Sequence, residues 1–191
     1  MKFLFHLLLL VAFSALTGAA WVAHRPASLA GIGGLEAPIK TAKPRDVLDD
    51  LRQAAIKRSA LLEISESDLN RYLANSLVYK VQPPLGDWVK FDRLVVDLEA
   101  DIARVILVWN LRGHRSTATV DLRIVRLEKT FHVEVIGGRY GHLEVPRGLL
   151  RPLMPVLVSI SKTLEEDIQA LFQMNQVRLT KDKLVLDPRF L

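Results

Sequence analysis

The hydrophobic pattern changes period several times along the chain. From Lys2 to Ala23, KFLFHLLLLVAFSALTGAAWVA has no polar face at all, only an internal His6 and small polar residues. A hydrocarbon core of about 30 Å needs about 20 helical residues, so this run is long enough to cross a membrane. Residues 24–44 show neither helical nor strand period and are rich in Gly, Pro and Ala, which reads as a tether. A helical signal then begins at Pro44. Asp46, Asp49 and Asp50 occupy the first turns, where carboxylates suit the positive end of a helix dipole, and Leu48, Leu51, Ala55 and Ile56 form an apolar stripe.

In LLEISESDLNRYLA, Leu61 to Ala74, a short strand-like run meets Ser65, an N-cap with Asp68 three residues on. Leu69 and Leu73, one turn apart, face a core, while Asn70 and Tyr72 read as surface residues. From Val89 to Val145 the period becomes two. Leu94, Val96 and Leu98, then Ala118, Val120, Leu122 and Ile124, alternate with polar neighbours as in antiparallel strands with one wet face. Between them IARVILVWNL, Ile102 to Leu111, is apolar at nearly every position and predicts a strand covered on both sides. Turn signals at Gly113, around Glu128 and Lys129, and at Gly137-Gly138 divide the region into a five-stranded meander. From Pro146 to Gln173 a helix is apolar all round in its first half and amphipathic in its second, with Leu164, Ile168, Leu171 and Phe172 on one side. Pro152 and Pro155 require it to begin near Leu153 or to kink there. QVRLTKDKLVLDP ends the chain as a hairpin.

Composition narrows the function classes. With 191 residues, half of them apolar, the chain can bury a core, and its length suits one domain plus an appendage. The net charge of +5 comes from 26 basic and 21 acidic residues that are interspersed, which argues against a nucleic-acid partner. The absence of Cys excludes disulfides, thiolate metal sites and a lipidated cysteine. The N-terminal run has two readings. Lys2 with Gly18-Ala19-Ala20 fits a cleaved signal peptide, whereas the length and Trp21 at the far interface fit an uncleaved anchor better.

The chemically suggestive words are HVE at 132–134 and HLE at 142–144. His and Glu two apart share a strand face. A three-residue loop at Gly137 to Arg139 sets Phe131 opposite Val145 and Val133 opposite Leu143, and gathers His132, Glu134, His142 and Glu144 on the other face. Such a quartet is a candidate metal site, with a metal-dependent enzyme as its consequence. It is equally what cross-strand ion pairing produces, at roughly 0.2 to 1 kcal/mol per pair, and with no nucleophile elbow, phosphate loop or zinc-helix motif the solvent-face reading is preferred. No metal or other cofactor is therefore expected.

The order of anchor, LEISESDLNRYLANSL, meander, GGRYGHLEVPRGLLRPLMPVLVSISKTLEEDI and closing LTKDKLVLDP resembles small bacterial envelope proteins of the YceB-like and LmeA-like kind over about residues 60–190. These look like single-module relatives of the tubular lipid-binding (TULIP, BPI-like) proteins. The matching words are Ile64-Ser65-Glu66 with Leu69-Asn70 and Leu73, and the helix carrying Leu150, Leu153, Met154 and Leu157. The chain departs from YceB in lacking a lipid-modified Cys.

The resemblance implies an α+β fold in which a curled antiparallel sheet of about 5–7 strands wraps a long C-terminal apolar helix. Residues 1–23 are the signal anchor or signal peptide, 24–44 the tether and 45–191 the domain. The expected function is non-enzymatic: binding of a lipid or similar amphiphile in an apolar groove walled by Trp109, Val120, Leu122, Val133, Leu150, Leu153, Met154, Leu157 and Ile160. The expected location is the bacterial inner membrane, spanned once through residues 3–23, with the domain on the periplasmic side. The alternative is a tethered scaffold for an envelope assembly, with protein partners and no ligand.

Overall fold

The computed structural model describes residues 2–35, 46–58, 60–77, 89–127 and 130–189. The chain is α+β. Its elements are α1 (Lys2–His24), α2 (Val47–Lys57), β1 (Leu62–Ser65), α3 (Glu66–Leu77), β2 (Val89–Glu99), β3 (Ile102–Leu111), β4 (His114–Leu127), β5 (Thr130–Tyr140), β6 (Leu143–Val145), a 3₁₀ helix (Arg147–Leu153), α4 (Met154–Thr163), α5 (Glu165–Phe172), β7 (Gln176–Thr180) and β8 (Lys183–Asp187). Side chains cap the starts of α2 and α3, Ser65 as expected and Asp46 at the N-cap instead of within the first turn. Asp46 Oδ1 accepts from Asp49 N–H at 3.1 Å, and Ser65 Oγ from Asp68 N–H at 3.1 Å. The expected start at Pro44, the later part of the tether and the residues around Glu128 and Lys129 lie outside the described residues.

The meander forms an antiparallel sheet in the order β2-β3-β4-β5-β6, and the C-terminal hairpin pairs with β1 in a second sheet of order β1-β8-β7. The two sheets are joined where Asp182 N–H donates to Leu98 O at 3.0 Å and Asp101 N–H to Leu179 O at 3.2 Å. One helix over residues 153–173 is replaced by two, because the chain leaves helical geometry at Leu164 (φ −102°, ψ 23°). The prolines act as their chemistry requires: the 3₁₀ helix carries Pro152, and α4 opens with Pro155 in its first turn.

The double-sided apolarity of β3 has a local cause. Leu29, Ile32 and Leu35, from the stretch read as a tether, lie across the outer face of the first sheet and bury Val95, Ile106 and Val108. This strap is tied down at both ends: Ala27 N–H donates to Thr117 Oγ1 at 2.7 Å and Gly33 N–H to Glu66 Oε1 at 2.8 Å. Beyond the strap the outer face is ionic, with Arg104 within 3.4 Å of Asp97, Glu99 and Asp121.

Asn70 corrects the surface reading. It is buried, as is Glu66 one helical turn before it, and both reach the open edge of β2. Asn70 Oδ1 accepts from Val96 N–H at 2.7 Å, while its amide donates to Val96 O at 2.8 Å and Gly33 O at 2.9 Å. Glu66 Oε2 accepts from Leu98 N–H at 2.7 Å.

The Gly137-Gly138 turn is also corrected. β5 runs straight through both glycines and turns at Gly141-His142, so that Gly138 pairs with Val145 and Tyr140 with Leu143. A Cβ at Gly138 would collide with Thr119 O and stand 3.0 Å from both Leu150 methyls. Glycine serves close approach to the 3₁₀ helix here, rather than a reversal of the chain.

Replacing Asn70 with Ala leaves Val96 N–H, Val96 O and Gly33 O without their partner, at about 1–3 kcal/mol for each buried group left unsatisfied. Asn70→Ala is expected to lower the unfolding free energy by about 3 kcal/mol in urea titration. A loss below about 1 kcal/mol would show that water replaces the clamp.

Candidate functional site

The helical layer touches the first sheet at its ends more closely than at its centre. At one end the 3₁₀ helix is held by Leu150 on Gly138 and by Tyr140 Oη, which donates to Leu149 O at 2.9 Å. At the other end, the rings of Phe131 and Phe172 stack with centroids 5.8 Å apart. Tyr72 Oη donates to Asp167 Oδ1 at 2.6 Å, and Arg52 pairs with Glu166, which together hold α5 against α2 and α3.

Between these supports a groove of about 560 Å³ separates α4 and α5 from the sheet. Leu94, Val96, Ala103, Val105, Leu122, Ile124, Val133 and Val135 form its sheet wall, and Met154, Leu157, Val158, Ile160, Leu164, Ile168, Leu171 and Phe172 its helical wall. Among the described residues only Tyr72, Ser161 and Asp167 add polar groups. The volume falls within the roughly 300–1,000 Å³ of small-molecule pockets. Val133, Met154 and Val158 are 42%, 42% and 48% exposed, so the groove opens to solvent between β5 and α4. Apolar surface left wet forgoes about 25 cal/mol per Å² of burial, which favours an apolar occupant.

Leu122, Val133, Met154, Leu157 and Ile160 line this groove. Val120, Leu150 and Leu153 instead fill the core beside it, because the close approach at Gly138 brings the 3₁₀ helix down onto the sheet there. Trp109 lines a separate cleft at the end of the sheet. Val47 and Leu51 of α2 and Leu73 of α3 were not expected in the groove wall. The helical periodicity of Leu51 and Leu73 was legible, but the element they would face was not, and Val47 lay outside the expected stripe.

The His132, Glu134, His142, Glu144 quartet is not assembled. Glu134 lies opposite Arg123, His132 opposite Val125 and Glu144 opposite Arg139, while His142 sits in the turn. The physical reason is the continuation of β5 through Gly137-Gly138, which moves the second triplet past the end of the paired region of the first. Among the described residues no three His, Asp or Glu side chains stand close enough to hold a metal ion.

Tyr72 is the groove's most perturbed titrating group. Burial, followed by donation to Asp167, pushes its phenol up from 10 to about 12. A group protonated more readily when folded stabilises fully below its unfolded pKa. That stabilisation is present below about pH 10 and is lost as pH rises through about 12. Tyr72→Phe is therefore expected to cost about 1 kcal/mol at neutral pH and to flatten the fall in stability between those limits, which denaturation at a series of alkaline pH values measures.

Compared with protein-family models, the chain matches none, and no curated protein matches it, so the groove's own geometry carries the functional reading.

Proposed function

We propose that this protein is a membrane-anchored binder of a lipid or similar amphiphile, held in the groove between the first sheet and α4–α5. The observation that carries the reading is a groove of about 560 Å³, open on one side and almost wholly apolar. Among the described residues no side chain fills it. A polar substrate would find almost no hydrogen-bonding groups there, whereas an acyl or polycyclic chain needs none.

The anchor supports the same reading. α1 has 23 residues, a mean hydropathy of 2.1 over its most apolar window and no buried residue, so its apolar surface is not spent on the domain. We place the domain on the extracytoplasmic side of a bacterial inner membrane, as the resemblance to envelope proteins implies. The TULIP-like resemblance agrees with a sheet and helix that hold a lipid between them.

The chain purified in mild detergent is expected to release a stoichiometric lipid on organic extraction and mass spectrometry. It should also take up a fluorescent fatty acid when delipidated. Because Val133 and Val158 are already exposed, Val133→Glu with Val158→Glu should leave the melting temperature nearly unchanged and weaken uptake at least tenfold, about 1.4 kcal/mol. A chain that carries no lipid and takes up no probe would favour the scaffold reading.

A further inference from the structure

The last turn of α1 and the residues that follow it are bound to one end of the first sheet. His142 N–H donates to Val22 O at 3.3 Å, and the rings of His24 and His114 lie 5.9 Å apart. Gly141, with φ of +55°, sits so close to the carbonyls of Ala23 and Arg25 that a Cβ there would collide with both. The β3–β4 and β5–β6 turns are thus fixed to the end of the apolar helix. With α1 in a bilayer, they stand at headgroup level, where Trp21 lies under Arg25 at 5.4 Å from ring centroid to guanidinium.

The same end of the sheet carries a cleft of about 690 Å³, lined by Lys90, Phe91, Asp92, Trp109, Arg112 and Arg115. Among the described lining residues Lys90, Arg112 and Arg115 are basic and Asp92 is acidic, and Asp92 is shared between Arg93 at 3.4 Å and Arg115 at 3.9 Å. Leu111, 40% exposed, projects from the turn beside it. Basic groups around an aromatic floor, next to an anchoring helix, suit an anionic lipid headgroup. The exposed mouth of the groove at Val133 lies farther along the strands. Gly141 N–H donates to Thr117 O, and Val133 pairs with Ile124, seven residues further along β4. At about 3.3 Å per residue this is about 23 Å along the strand.

We propose that this end of the sheet docks on the anionic headgroups of the bilayer that holds α1, with the Lys90, Arg112 and Arg115 cleft as the contact, while the exposed mouth of the groove at Val133 lies away from it. The inference rests on the membrane insertion of α1 proposed above.

The chain has no Cys, so a single bimane label reports one site. Leu111→Cys and His132→Cys place it at the two ends of the sheet, in the full chain reconstituted into phosphatidylcholine vesicles with or without phosphatidylglycerol and carrying a headgroup nitroxide. Quenching at position 111 is expected to exceed that at 132 and to rise with phosphatidylglycerol. It should fall back in 1 M salt, where the screening length is about 3 Å. Arg112→Gln with Arg115→Gln should reduce the docked-to-undocked ratio about fivefold for each arginine removed. Equal quenching at the two sites, or quenching indifferent to phosphatidylglycerol and salt, overturns the proposal. Alkaline carbonate separates the two failures: release of the chain defeats the anchored reading itself, whereas retention without lipid-charge dependence defeats only this surface.

Discussion

The open edge of β2 is the constraint around which the domain is arranged. A strand edge presents backbone donors and acceptors that must find partners or invite another chain. Here Asn70 and Glu66 supply those partners from α3, and Asp182 completes the row at Leu98 O. The same two side chains bind Gly33. One buried pair therefore fixes α3 on the sheet edge and the N-terminal strap on the sheet's outer face.

That arrangement leaves the inner face of the first sheet to the helical layer, which meets it unevenly. The 3₁₀ helix comes down tightly where Gly138 removes a side chain, and the Phe131–Phe172 stack supports the opposite end. Between these supports the break at Leu164 makes two short helices of ten and eight residues, rather than one rod that settles evenly on the strands. The groove follows from supports at its ends with apolar walls between them. Its emptiness is thus a property of backbone geometry as much as of side-chain size.

The strap links this domain to the membrane-length helix. A free linker would let the domain rotate above a bilayer, whereas hydrogen bonds from His142 and Ala27 and the close packing at Gly141 hold the exit of α1 to particular turns. A basic cleft at the anchored end and the exposed mouth of the groove farther along give the domain a polarity along its strands.

Local chemistry alone determined much of this protein. The membrane-length run, the Ser65 cap, the alternation of the meander and the effect of two prolines on the following helix depend on neighbours within a turn or a strand step. The inner-facing set Leu94, Val96, Leu122 and Ile124 was legible for that reason, as was the helical stripe of Leu164, Ile168 and Leu171. Only the tertiary structure decided what those faces meet. Asn70 looked like a surface residue because its partners are backbone atoms 26 and 37 residues away. Gly137-Gly138 looked like a turn because glycine serves both reversal and close approach, and the approaching Leu150 lies beyond the next hairpin. The His and Glu triplets share a spacing, but the register sets them apart along the strand instead of opposite each other. Strand spacing sets which side chains lie on one face, but register and the packing of distant elements set which of them come together.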